Sequence, residues 1–211
     1  MSAGYQVLSL DDIGRYAQGD SLLLPLRQEL GLRAFGANAW TAEVGGHVVP
    51  RHSEASGDEE LYVVVRGRAR FTVGEETIDG TPGTLVHVRA GTVREAIAEE
   101  PDTIVLAVGA TPGEAFRARG WDEIPVAFAK ARAGDVDGAR AQLAKLMVGR
   151  DDEWQGWYNL ACFEAQFGDR EHAFSHLLKA MRLDTQAGQF AEGDSDFEPL
   201  HDDERWETIF G

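Results

Sequence analysis

The segment at residues 52–67, HSEASGDEELYVVVRG, places a histidine and several carboxylates directly before a run of β-branched residues. Imidazole nitrogens and carboxylate oxygens are ligands that divalent transition metals accept in proteins. Because β-branched runs favour strands, these side chains would lie at the start of a strand. The segment is therefore a candidate for a metal or ligand site that uses His52 and one or more of the carboxylates that follow it.

The elements that would position this site have the pattern of an all-β unit. Up to about Val108, short apolar or alternating runs such as LYVVVRGRARFTV, TLVHVRA and TIVLAVG are separated by Gly-rich turns. Regularly spaced short strands of this kind are typical of a sandwich or a small barrel. We expect this unit to cover residues 1–112, with an N-terminal extension in which LLLPLRQELG forms a short helix or an edge segment.

After a predicted linker at residues 113–122, the period changes to that of helices. ARAGDVDGARAQLAKL and AQFGDREHAFSHLLKA align in an internal repeat, which pairs Gly134 with Gly168, Asp135 with Asp169, Ala139 with Ala173 and Leu143 with Leu177. Such a repeat predicts helix–turn–helix units over residues 123–211, followed by an acidic C-terminal tail with a short final helix. The line WYNLACFEAQFGDREHAFSHLLKAMRLD resembles a tetratricopeptide repeat. That resemblance implies either a protein-binding surface or helices that pack on the barrel or form a dimer surface.

The first unit resembles a cupin, over roughly residues 30–108. The first motif of that family runs Gly, five residues, His-x-His, three or four residues, Glu, six residues, Gly. Gly46, His52, Glu60 and Gly67 match its two ends, but Glu54 replaces the second histidine. The resemblance implies a double-stranded β-helix, or jelly-roll, barrel that pairs as a homodimer. It also implies a metal site built from histidines and one carboxylate.

The second cupin motif ends in a histidine, and in RAGTVR this position is Arg94. A guanidinium stays protonated and only donates, so Arg94 cannot bind a metal. A unit charge ~4 Å from a metal ion would cost about 4 kcal/mol per unit of metal charge at an effective dielectric near 20. We therefore expect a site that is free of metal or binds it only weakly, with Arg94 pairing Glu60 or Glu54, or binding the carboxylate of a small anionic ligand.

Two further residues are candidates for the site. Trp40, on the strand before the first motif, could form the floor of a ligand pocket, although packing of a barrel end is an equal alternative. His87, on the strand TLVHVRA, could complete a metal set with His52, Glu54 and Glu60 if it points inward. The divalent metals that would suit such a set are Fe, Mn, Ni and Zn.

Composition restricts the classes of partner. The chain has 36 acidic residues against 20 Lys and Arg, a net charge of -16, which disfavours nucleic acid. No apolar run approaches the roughly 20 residues of a membrane span. A single cysteine, Cys162, and an N-terminus without signal-peptide features predict a cytoplasmic protein.

Three functions remain open from the sequence. The first is a sensory or small-molecule-binding cupin that is not catalytic, with a pocket formed by His52, Glu54, Glu60, Arg94 and Trp40. The second is a metal-dependent enzyme of the dioxygenase or isomerase type. The third is an adaptor whose helical region binds another protein and whose barrel is only a scaffold.

Overall fold

A computed structural model describes residues 5–54, 57–116 and 121–211. The chain divides into two compact units, Met1–Pro125 and Val126–Gly211. Trp121 and Asp122, which fall within the predicted linker, belong to the first unit, and residues 117–120 of that linker lie outside the described residues.

The first unit consists of two antiparallel sheets that face each other. Its described residues form ten strands: β1 (Tyr16–Gln18), β2 (Ser21–Leu24), β3 (Gly36–Ala42), β4 (His47–His52), β5 (Glu59–Arg66), β6 (Ala69–Val73), β7 (Glu76–Gly80), β8 (Leu85–Val88), β9 (Arg94–Ala98) and β10 (Ile104–Ala110). One sheet has the order β1-β2-β3-β10-β5-β8 and the other has the order β4-β9-β6-β7. The structure therefore has the double-sheet jelly-roll architecture that the sequence predicts.

In the N-terminal extension the predicted short helix is present, whereas the residues before it form a strand that lies between β1 and β3 and is therefore not at the edge of the sheet. Strand β2 pairs with β3, and helix α1 (Leu26–Leu30) follows directly after Pro25. Pro25 cannot continue the strand ladder, because proline has no backbone N–H, and it precedes the first turn of the helix.

The inward faces of the strands form the core of the barrel. Val48, Tyr62, Val64, Phe71 and Val105 are almost completely buried within one apolar cluster. On β5, buried Tyr62 and Val64 alternate with the more exposed Leu61 and Val65, as expected for a strand with one face in the core.

Gly67, the last glycine of the first motif, makes the sharp turn from β5 to β6. Its φ of +69° lies in the left-handed region, and a Cβ there would lie 2.7 Å from the Cα of Thr103. Only glycine fits this combination of backbone conformation and close approach. The motif therefore ends in glycine because of packing in this turn.

The second unit is helical. Its helices are α2 (Ile124–Arg132, which begins at the end of the first unit), α3 (Val136–Leu146), α4 (Trp154–Phe167), α5 (Arg170–Leu183), α6 (Gln186–Ala191) and α7 (Glu204–Phe210). Asp135 and Asp169, the repeated aspartates, cap α3 and α5 by accepting hydrogen bonds from the backbone N–H groups of Gly138 and His172. No helix in the described ranges has the length and apolar character needed to cross a membrane.

The buried positions of the repeat match the sequence alignment. Ala139 and Leu143 are buried on α3, and Ala173 and Leu177 are buried at the corresponding positions of α5. Small and branched apolar residues at these positions allow neighbouring helices to pack closely. Two helix–turn–helix pairs are therefore present, whereas their assignment as tetratricopeptide repeats stays a prediction.

Candidate functional site

The end of the barrel that holds the first motif contains a cavity of about 350 Å³. Its wall includes His52, Glu54, Glu60 and Trp40, four of the residues predicted from the sequence. His52 is the last residue of β4 and Glu60 the second residue of β5, so two strand ends bring the motif together. A volume of this size is in the range of small-molecule sites.

Arg94 lies at the centre of the cluster, with its side chain completely buried. It is the first residue of β9 and pairs directly with His52 of β4 in the sheet register. Its Nη2 atom donates to Glu60 Oε2, and its Nε atom donates to the hydroxyl oxygen of Tyr62 at 3.1 Å. Its Nη1 atom donates to the backbone carbonyl oxygen of Thr92, also at 3.1 Å. All three nitrogens of the guanidinium are thus hydrogen-bonded within the protein.

Glu60 is the acceptor on which the other polar groups converge. Its Oε2 atom accepts hydrogen bonds from Arg94 and from the hydroxyl group of Tyr62, and it lies 3.4 Å from His52 Nε2. Gly109 stands opposite Glu60 in the register of β5 and β10, and a Cβ there would lie 3.0 Å from Glu60 Cγ. The absence of a side chain at this position gives the carboxylate room to reach the guanidinium.

These contacts determine the charge states in the cluster. Burial alone raises the pKa of Glu60, but hydrogen bonds from His52, Tyr62 and Arg94 outweigh burial and lower the pKa to about 2. Burial raises the pKa of Tyr62 well above its usual range, so its hydroxyl group remains protonated and can donate. Glu60 is therefore an ionised carboxylate paired with a buried cation.

The orientation of His52 is fixed by its own strand. Its Nδ1 atom donates to the carbonyl oxygen of Pro50 at 2.6 Å, since a carbonyl only accepts. Its Nε2 atom faces Glu60 Oε2 at 3.4 Å and Glu54 Oε1 at 3.7 Å. Burial lowers the pKa of His52, but the hydrogen bonds with Glu60 and Pro50 outweigh burial and raise it above the ordinary value.

The residues present do not fit a transition metal bound in the manner of the family's first motif. Donor atoms of His52, Glu54 and Glu60 do lie within 4.8 Å of one another. However, the guanidinium of Arg94 contacts Glu60 and lies 3.9 Å from Glu54 Oε1. It therefore interacts with two of the three side chains that would have to bind the metal. A metal ion there would be repelled by a fixed positive charge.

Two of the predicted site residues require correction. His87 does not join the cluster: on β8 it alternates with buried Val86 and Val88, and its exposed imidazole lies 3.1 Å from Glu59 Oε2. Arg94 does not line the cavity, because it lies behind Glu60 and its donors are used by the protein. Of the two predicted roles of Arg94, the structure therefore shows the ion pair with Glu60 and does not place the guanidinium where the carboxylate of a ligand in the cavity could contact it.

The structure also adds residues that the sequence reasoning missed. Tyr62 lies two residues after Glu60, and Asn38 lies two residues before Trp40, so each shares the inward face of its strand. That period of two was the available signal. Arg27 and Asp122, which also line the cavity, come from distant parts of the chain and gave no local signal.

Acid should weaken the barrel through Glu60. A carboxyl group whose folded pKa is about 2, against an ordinary value of 4.5, contributes stability that is fully present above the ordinary value and is lost as pH falls towards 2. At about 1.4 kcal/mol per unit, the loss amounts to about 3 kcal/mol. We expect the urea midpoint of the wild type to fall more steeply between about pH 5 and about pH 2.5 than that of Glu60→Gln. Equal slopes would contradict the depressed pKa.

Comparison with known proteins agrees with the architecture. Residues 38–109 match the family model described as the cupin domain, and no tetratricopeptide model matches the chain. No curated protein matches the sequence.

Solved structures resemble about half of this chain at low identity. KdgF from a Halomonas species is 17% identical, with a TM-score of 0.41, 47% of this chain covered and 88% of that one. A sugar phosphate isomerase of the cupin superfamily from Silicibacter pomeroyi is 22% identical, with a TM-score of 0.43 and coverage of 51% and 77%. A predicted oxalate decarboxylase from Thermotoga maritima is 17% identical, with a TM-score of 0.43 and coverage of 50% and 99%. The family match shows that residues 38–109 of this chain form a cupin domain.

Proposed function

We propose that the cupin barrel binds a small molecule in the cavity at the first motif and does so without a resident transition metal. The observation that carries the proposal is the buried guanidinium of Arg94, which donates to Glu60, one of the residues that would have to bind a metal. In this arrangement a fixed protein cation neutralises the carboxylate. The cavity then presents His52, Glu54 and an aromatic wall to a ligand.

The first test is the metal content of protein purified without chelators or added metal, measured by elemental mass spectrometry. We expect well below one transition metal per chain, and no increase after exposure to Mn, Fe, Ni or Zn followed by desalting. One metal per chain would contradict the proposal and favour a metal-dependent enzyme that uses His52, Glu54 and Glu60, whose donor atoms are close enough for that role.

The substitution Arg94→His is expected to create a metal site. It removes the buried cation, frees Glu60 and places an imidazole directly across from His52 in the register of β4 and β9. Removing a repulsion of about 4 kcal/mol per unit charge should raise the affinity for Zn or Ni at least about 100-fold, measured by competition with a chelating indicator.

Arg89→His is the matched control, because it makes the same chemical change at an exposed position. We expect its affinity for Zn or Ni to equal that of the wild type. If Arg94→His gained no more affinity than Arg89→His, the guanidinium would not be what keeps metal out of the cluster.

A further inference from the structure

A buried amide in the cavity wall has an acceptor atom that no described group of the protein uses. Asn38 is 5% exposed and lines the cavity. On the inner face of the sheet it occupies the same row as Ala107 of β10 and Tyr62 of β5. Its Oδ1 atom is buried and has no hydrogen-bond partner within residues 5–54, 57–116 and 121–211. Since buried polar atoms are nearly always satisfied, this oxygen is suited to accept from a molecule in the cavity.

The orientation of the amide is set by its neighbours. Asn38 Nδ2 lies 3.4 Å from Asp122 Oδ2, and Arg27 donates to both oxygens of that carboxylate at 2.7 Å. An ionised carboxylate only accepts hydrogen bonds, so the NH₂ group of Asn38 must face Asp122. The Oδ1 atom is thereby left as the acceptor that is available to a ligand.

The charge of the cavity selects against anions. Four carboxylates lie in its wall, those of Glu54, Asp58, Glu60 and Asp122, against one guanidinium and one imidazole. Arg94 adds a second guanidinium directly behind the wall, so four carboxylates stand against two guanidinium groups and one imidazole. The balance is therefore acidic, and a cavity of one sign concentrates small ions of the opposite sign.

Aromatic side chains form another part of the wall. The rings of Trp40 and Trp121 stack with centroids 5.9 Å apart and planes 9° apart, and Phe116 also borders the cavity. Aromatic faces attract organic cations through their quadrupole, and this attraction strengthens where water is excluded. Acidic groups, an unused acceptor and aromatic rings thus surround the same space.

We propose that Asn38 anchors the ligand and that the cavity takes a small organic amine, protonated, which donates an N–H hydrogen bond to Asn38 Oδ1. This inference rests on the proposed function, namely a cavity that binds a small molecule without metal. It adds the chemical class of the ligand, which the buried guanidinium alone does not specify. No bond is made or broken in the complex.

Four probes with four carbon atoms each separate the possible classes. Butylammonium carries charge and N–H donors, tetramethylammonium carries charge without donors, erythritol carries donors without positive charge, and butyrate is an anion. Binding to the full chain is measured by isothermal titration calorimetry and ligand-observed NMR at constant ionic strength. We expect butylammonium to bind most tightly and tetramethylammonium at least about tenfold more weakly, since it cannot donate to an acceptor.

Asn38→Leu removes the acceptor while keeping a side chain of four heavy atoms branched at Cγ, and it should weaken butylammonium binding at least about tenfold. Asn159→Ala, a change at an asparagine of the helical unit, is the control for general attraction of cations to this acidic chain, and it should leave the affinity unchanged. Thermal unfolding and circular dichroism establish that each variant folds. The ranking of the four probes on the wild type tests the proposal even if Asn38→Leu does not fold.

Each contrary result has a distinct meaning. Tighter binding of erythritol or butyrate, or binding of none of the four probes, would overturn the amine class. Equal affinity of butylammonium for the wild type and a folded Asn38→Leu variant would overturn the anchoring role of Asn38. One transition metal per chain in the purified protein would instead overturn the proposed function, whatever the ranking of the probes.

Discussion

Replacing Arg94 with methionine is expected to lower the free energy of unfolding by about 3–5 kcal/mol, measured by urea denaturation at neutral pH. The change leaves the carboxylate of Glu60 inside the barrel without its cation and leaves the Tyr62 hydroxyl oxygen without the donor at 3.1 Å. Removing one partner of a buried ion pair costs the full desolvation penalty of the group that remains. For a domain whose total stability is about 5–15 kcal/mol, such a loss is a large fraction.

Two controls identify the cause of that loss. Arg68→Met removes an exposed guanidinium that pairs with exposed Asp79, and it should change stability little, because water solvates both groups. The double variant Arg94→Met/Glu60→Gln removes both charges and should recover a substantial part of the stability lost in Arg94→Met. If Arg94→Met cost no more than Arg68→Met, the guanidinium would not be stabilising the cluster.

Arg27→Met is the second substitution with a large expected effect, again about 3–5 kcal/mol by urea denaturation. Arg27 Nε and Nη2 bind the two oxygens of Asp122 at 2.7 Å each, and Asp122 is 2% exposed. Without Arg27, the contact that remains to this buried carboxylate from the described side chains is the long one from Asn38 at 3.4 Å. The pair also joins α1 to the segment around Asp122, so its loss should release that segment from the barrel.

Arg27→Lys is the control for geometry, because it keeps the charge but lacks the planar fork. We expect a loss of stability between that of the wild type and that of Arg27→Met. A lysine variant as unstable as the methionine variant would indicate that the fork, not the charge, maintains the contact. A methionine variant as stable as the wild type would show that Asp122 does not depend on Arg27.

The strands were predictable because their pattern is local. In LYVVVRG the alternation of inward and outward side chains follows from the two-residue period of a strand. Gly67 and the repeated Gly-Asp pairs of the helical unit mark turns through backbone conformation and capping, which also depend on a few neighbouring residues. The match to the family model confirms the cupin domain at residues 38–109, whereas the tetratricopeptide assignment and the homodimer stay predictions.

The site was predictable only in part. The spacing of the first motif identified His52, Glu54 and Glu60, which lie together at the cavity. The direction of the His87 side chain was open. A strand has two faces, and the sequence does not show which face is buried until the neighbouring strands are known. The structure pairs His87 with exposed Leu61, and the imidazole is therefore on the outer face.

By itself, the sequence determined that a β unit with the two-residue period of strands precedes a unit with the period of helices. It also determined the ends of the metal motif and the presence of arginine where the family has histidine. Only the tertiary structure decided that Arg94 donates to Glu60 and Tyr62 from behind the cavity wall, and that Asp122 orients Asn38. Periods and turns depend on residues that are neighbours in the chain. The buried ion pair and the orientation of Asn38 depend on groups 34 and 84 positions apart, which only the folded first unit brings together.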